Sequence, residues 1–119
     1  MNKVDFLVVG QGLAGTMLAF EMLGQNLDFK IISSPLKSKA SLVAAGMINP
    51  LVFKRLTKSW LADELLPVME SRYKYLESLL GERFYFPMDI LKPLSKQELE
   101  TWKAKKTLPD FEKYIGDIR

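Results

Sequence analysis

The hydrophobic pattern near the start of the chain predicts a strand, a helix and a second strand. Residues 4–9 form a nearly continuous apolar run, which is typical of a strand buried on both faces of a parallel sheet. Apolar positions then recur at helical spacing over residues 13–23 and end at Gly24, a residue type that favours helix termination. Residues 29–32 form a second strand-like run. Together these segments predict a β-α-β unit.

The middle of the chain is predicted to be irregular and then helical. Residues 35–57 mix polar, small and proline-containing stretches, which indicates a loop that carries a short helix. Helical periodicity returns over residues 58–80 and stops at Gly81. Pro67 is expected to kink this long helix, because proline cannot donate the backbone hydrogen bond of a helix interior.

Shorter elements are predicted in the remainder. Residues 84–86 and 90–91 are strand candidates. Ser95 and Glu98 have the spacing of a capping box, which predicts a short helix after them. The tail that follows contains no convincing element. The aromatic residues between positions 60 and 86 are expected to pack in a core rather than to form a base-stacking surface, because they recur at helical spacing.

Three glycines stand between the first predicted strand and the first predicted helix. The segment Gly10-Gln11-Gly12-Leu13-Ala14-Gly15 has the form G-x-G-x-x-G, and this strand-to-helix setting is what makes the pattern indicate a dinucleotide site. Gly10 makes the tight turn, Gly12 lets the backbone approach a pyrophosphate, and Gly15 lets the helix pack closely on the strand. Backbone amides at the helix N-terminus, including those of Leu13 and Ala14, face the anion in this interpretation. A glycine turn that merely packs is the alternative.

Two serines follow the second predicted strand, where dinucleotide-binding folds commonly carry an acidic residue that accepts hydrogen bonds from the adenosine ribose. The Ser33 hydroxyl can bond a ribose oxygen, but it lacks the charge that strengthens the usual contact. Ser33 and Ser34, with Lys30 and Lys37 nearby, can instead tolerate a ribose phosphate, so NADP stays open as the cofactor. An ordinary turn at Ser33-Ser34-Pro35 is an equal alternative.

A second motif, Ser41-Leu42-Val43-Ala44-Ala45-Gly46-Met47, follows the second predicted strand. The glycine fingerprint followed by S-x-x-A-A-G-M resembles the D-amino acid oxidase and glycine oxidase family of flavoproteins. The resemblance covers roughly residues 1–60 well and the remainder only in outline. It implies an α/β, Rossmann-like FAD/NAD(P)-binding βαβ fold with FAD as the cofactor. The residues that it places along the FAD pyrophosphate and flavin are Ser41, Ala44, Ala45, Gly46 and Met47.

The resemblance also implies a domain organisation. Residues 1–57 correspond to the FAD-binding βαβ unit and a flavin-proximal loop, and residues 58–119 to the long helix and the start of a substrate domain. Members of the family are several times longer, so the chain is expected to be a fragment that is inactive alone, with its catalytic residues lying elsewhere. The expected full-length function is oxidation of a small amine or amino acid by an FAD-dependent oxidoreductase. An NAD(P)-binding oxidoreductase and a non-catalytic nucleotide-binding module remain alternatives.

Composition narrows the chemistry further. The 119 residues are 48% hydrophobic and 26% charged, a balance typical of a globular domain. The sequence contains neither histidine nor cysteine, which excludes a Ser-His-Asp triad, a Cys-His pair and Cys- or His-ligated metals within it. Flavin chemistry is not excluded, because the flavin itself accepts the hydride.

Charge and hydropathy indicate the expected partners. The net charge of +3 does not imply a nucleic-acid partner. No apolar run approaches the roughly 20 residues that span a bilayer, so we expect a cytoplasmic protein without a membrane partner. A small amine or amino-acid substrate and the rest of its own FAD and substrate domains are the expected partners.

Overall fold

Residues 3–34 and 40–118 are described by the structure, a computed structural model, and they belong to two units that meet in the chain between Ile48 and Asn49. The first unit contains strand β1 (Phe6–Val9), helix α1 (Leu13–Gly24), strand β2 (Phe29–Ile32) and the short helix α2 (Ala40–Val43). β1 and β2 pair in parallel, with Phe6 opposite Phe29 and Val9 opposite Ile32. The predicted β-α-β unit is confirmed, because α1 supplies the crossover that parallel neighbours require.

Burial in the first unit is less complete than the sequence predicts. Val8 on β1 and Ala19 on α1 are its buried apolar residues within the described ranges. Leu7 and Val9 are 55% and 79% exposed, so the prediction of a strand buried on both faces is wrong for β1. A parallel sheet buries both faces only when helices cover both of them, whereas α1 is the helix that packs on β1 and β2 here.

The second unit starts with an antiparallel hairpin. Strands β3 (Leu51–Val52) and β4 (Thr57–Lys58) pair with Leu51 opposite Lys58. Three helices follow: α3 (Ala62–Leu80), α4 (Lys96–Lys106) and α5 (Pro109–Glu112). The buried core of the unit joins the hairpin to the last two helices and consists of Leu51, Leu56, Trp102, Phe111 and Ile115.

Several predicted elements of the second unit differ from the structure. The hairpin was not predicted. The long helix begins at Ala62 rather than at residue 58, because Thr57 and Lys58 pair with β3. The strand candidates at residues 84–86 and 90–91 are irregular. The Glu77 carboxylate accepts the backbone amides that follow α3, those of residues 84 and 85, at 2.8 and 2.7 Å, so this segment bonds to a side chain rather than to a strand.

Other predictions for this unit are confirmed. Ser95 accepts the Glu98 amide while the Glu98 carboxylate accepts the Ser95 amide, which completes the predicted capping box. Of the aromatic residues, Tyr73 packs edge-on against Phe84 and Tyr85 with ring centroids 5.6 Å apart. Core packing is wrong for four of the predicted aromatic residues, which are exposed to 82% (Trp60), 56% (Tyr75), 52% (Phe86) and 44% (Phe84).

No helix in the described parts of the chain is both long enough and apolar enough to cross a lipid bilayer.

Candidate functional site

The turn between β1 and α1 begins with a glycine in a conformation that other residues rarely adopt. Gly10 has φ +101°, and its amide donates to the Ile32 carbonyl at 2.8 Å. This bond continues the ladder between β1 and β2 by one residue before the chain turns towards α1. The left-handed φ explains why this position is glycine, because a Cβ would strain the backbone there.

Gly15 lies very close to the backbone of Gly10, at the other end of the turn. A Cβ added to Gly15 would lie 2.1 Å from the Gly10 carbonyl oxygen and 3.6 Å from Cγ1 of Val8. The first distance is far below van der Waals contact, so no side chain fits unless the backbone moves. Gly15 therefore lets the first turn of α1 lie directly against the end of β1, which is the role predicted for it.

Gly12, in the glycine motif, lies near Ser41, the first residue of the second motif. Its φ of −86° and ψ of −170° are extended and open to any residue, so the backbone conformation does not require glycine here. A Cβ on Gly12 would stand 3.6 Å from Oγ of Ser41, at the start of the second motif. The hydroxyl of Ser41 thus lies beside the glycine turn, although the two are distant in the sequence.

The first turn of α1 presents unpaired backbone amides. Gly12 caps the helix without a side-chain hydrogen bond, and its carbonyl accepts the Thr16 amide at 2.9 Å. Within the described residues, the amides of Leu13, Ala14 and Gly15 have no acceptor. No acidic side chain lies in this turn. Free N–H groups and the positive end of the helix dipole can bind an anion in this place.

The serines after β2 have different surroundings. Oγ of Ser33 accepts the backbone amide of Gln11 at 3.4 Å, and Ser33 is partly buried. Ser34 is exposed. The end of β2 therefore holds a neutral hydroxyl that is already bonded to the glycine turn, and the sequence interpretation missed this contact.

The rest of the second motif extends past α2. The Ala44 amide donates to the Ala40 carbonyl at 2.9 Å, which adds a final bond to α2. Gly46 has φ +69°, so the chain turns at a residue that tolerates the left-handed region. Ala45 and Met47 are exposed, Met47 to 71%. The predicted cofactor role of residues 44–47 stays a prediction.

A cluster of charged groups lies in the second unit, on residues that sequence reasoning did not select. Asp63, in the first turn of α3, is bound by Lys58 of β4 at 2.5 Å and by Lys113 at 2.7 Å, and it accepts the Tyr114 hydroxyl. The hydrogen bonds from Lys113, Lys58 and Tyr114, in that order, hold the pKa of Asp63 well below its usual range. Lys58 also reaches Asp110 at 3.3 Å. We call Lys58, Asp63, Lys113 and Tyr114 the Asp63 cluster.

Burial and a hydrogen bond to Asp63 raise the pKa of the Tyr114 hydroxyl, so the tyrosine acts as a neutral donor. Each charge in the Asp63 cluster has an opposite partner, and the cluster joins segments that are distant in sequence. Its arrangement is that of a structural link between the hairpin, α3 and the end of the chain.

Comparisons of the chain with protein-family models, with curated proteins and with solved structures found no match.

Proposed function

We propose that the chain is the N-terminal FAD-binding part of an FAD-dependent oxidoreductase similar to D-amino acid oxidase and glycine oxidase, with a Rossmann-like βαβ fold. In this proposal the longer protein oxidises a small amine or amino acid, and the present chain holds the FAD diphosphate. The flavin supplies the redox chemistry when it is bound. The residues of the chain bind and orient it.

The observation that carries the proposal is the geometry around Gly12. The glycine turn follows a parallel strand and opens a helix whose first amides are unpaired, and a Ser41 hydroxyl stands 3.6 Å from where a Gly12 side chain would begin. A pyrophosphate beside Gly12 can accept hydrogen bonds from backbone amides and from this hydroxyl. A Cβ would fill part of the same space.

The uncharged Ser33 at the end of β2 favours NADP as an alternative ligand. Ser33 replaces the carboxylate that would repel a 2′-phosphate, so an NADP-binding oxidoreductase is the second candidate. The two candidates differ in the bound ligand. Titration of the chain with FAD and with NADP, followed by the shifts of backbone amides in NMR spectra, separates them even when binding is weak.

The test of the diphosphate site is Gly12→Val. We expect this variant to keep its fold, because a Cβ at Gly12 makes only ordinary contact with Ser41, and to lose the FAD-induced shifts of the Leu13 and Ala14 amides. Gly24→Val is the matched control, since a Cβ at Gly24 meets nothing within 4 Å. Unchanged FAD affinity in folded Gly12→Val would contradict the proposal.

A further inference from the structure

The backbone amides of the glycine turn divide into two groups. Gly10 donates to the Ile32 carbonyl at 2.8 Å, and Gln11 donates to the Ser33 hydroxyl at 3.4 Å. Both acceptors lie at the end of β2. The amides that follow, those of residues 13–15, have no acceptor among the described residues. The first amides of any helix lack a partner within the helix, so this division separates amides that hold the turn from amides that are left for solvent or for a ligand.

The contact of Ser33 with Gln11 changes what the serine can offer a ligand. A hydroxyl has one donor and two acceptor lone pairs, and one lone pair faces the Gln11 amide. An aliphatic hydroxyl is also uncharged, so it cannot make the charge-assisted bonds with which a carboxylate holds two ribose hydroxyls. Ser33 is therefore poorly suited to replace an acidic ribose ligand, but it is well placed to fix the turn.

Resting on the proposed function, we infer that Ser33 is a positioning residue for the diphosphate site and not a ribose ligand. Its hydroxyl ties Gln11 to the end of β2. This contact sets the direction in which the chain leaves Gly10 and enters α1, and so aims the free amides of residues 13–15 at the diphosphate. The consequence for specificity is that Ser33 supports binding of the diphosphate and does not itself discriminate ribose from 2′-deoxyribose.

The experiment compares wild type, Ser33→Ala and Ser33→Thr with three probes: inorganic pyrophosphate, ADP and 2′-deoxy-ADP. We expect Ser33→Ala to weaken pyrophosphate and ADP by the same factor, about fivefold, the usual worth of one hydrogen bond. The ratio of ADP to 2′-deoxy-ADP affinity should be equal in wild type and Ser33→Ala. Ser33→Thr, which keeps the hydroxyl, should restore wild-type affinity.

A second readout does not need a ligand. Hydrogen exchange of the Gln11 amide should be faster in Ser33→Ala than in wild type and should slow again in Ser33→Thr, while exchange within α1 is unchanged. This measurement detects the contact itself, and it also shows whether the variant has simply lost its fold.

Three results would overturn the inference without contradicting the proposed function. A ratio of ADP to 2′-deoxy-ADP affinity that differs between wild type and Ser33→Ala would make the serine a ribose ligand. Unchanged pyrophosphate affinity in Ser33→Ala would show that the serine does not influence diphosphate binding. Unchanged hydrogen exchange of the Gln11 amide in the same variant would show that the contact with Ser33 does not protect that amide. A wild type that binds none of the three probes contradicts the proposed function, and the inference with it, even if Gln11 exchange responds as expected.

Discussion

Gly15 is the position at which the structure leaves least room for a side chain. A Cβ would come within 2.1 Å of the Gly10 carbonyl oxygen, and backbone cannot rotate away as a side chain can. We expect Gly15→Ala to lower the free energy of unfolding by about 2 kcal/mol, as overpacking commonly does. Urea unfolding followed by circular dichroism measures the change.

Gly24→Ala is the control for this prediction, because it adds the same methyl group to α1 where nothing lies within 4 Å. Alanine also has the higher helix propensity, so this variant should be as stable as wild type or slightly more so. Equal stability of Gly15→Ala and Gly24→Ala would show that the turn is looser than its geometry indicates.

Asp63 gives stability a defined pH dependence. Its pKa is lowered by Lys113, Lys58 and Tyr114 from an ordinary value of 3.8, so the folded state favours the ionised carboxylate. The resulting stabilisation is fully present above the unfolded-state pKa, and it is lost as pH falls through the lower folded-state pKa. We expect Asp63→Asn to lower the urea midpoint at pH 7, and the difference from wild type to shrink progressively below about pH 4.

Asp89→Asn serves as the matched control for the Asp63 cluster, because Asp89 is an exposed acid in an irregular segment of the same unit. It removes one negative charge without touching the cluster. If both variants shift the midpoint equally at every pH, net charge rather than the ion pairs causes the effect.

Among the elements, α4 shows how a local hydrogen-bond pattern defines a helix end. Ser95 and Glu98 exchange hydrogen bonds, and the bonds from Lys92 and Ser95 lower the pKa of Glu98 to about 2. We expect Ser95→Ala to cost about 1 kcal/mol of unfolding free energy, the usual loss for an N-cap. Thermal or urea unfolding tests this value, with Ser78→Ala inside α3 as the control.

Ser78 is exposed and caps no helix, so its replacement by alanine should not destabilise the protein. A loss of stability in Ser78→Ala as large as that in Ser95→Ala would mean that the capping box contributes little. The box matters to the fold because α4 carries Trp102 into the core of the second unit, where Phe53 meets it edge-on at 5.7 Å.

At the scale of the whole molecule, many large apolar side chains among the described residues are exposed to solvent. Val9, Trp60 and Leu91 are 79%, 82% and 92% exposed. Large exposed apolar surfaces mark places where a protein meets a partner or another part of itself.

We expect the chain by itself to bind FAD too weakly to retain it through purification, since the proposed contacts cover only the diphosphate and the flavin-proximal segment. The longer protein implied by the resemblance should retain the flavin. The visible absorbance of both purified proteins measures this difference. Stable flavin that copurifies with the 119-residue chain would contradict the prediction.

The sequence alone predicted the β-α-β order, the positions of its three elements and the capping box of α4, because these follow from apolar periodicity and from hydrogen bonds between near neighbours. Tertiary structure decided the contact of Ser33 with Gln11, the approach of Ser41 to Gly12 and the Asp63 cluster. Apart from Lys58 and Asp63, these pairs are distant in the chain. Whether they meet depends on the direction in which each turn sends the backbone, and no local pattern of polar and apolar residues encodes that direction.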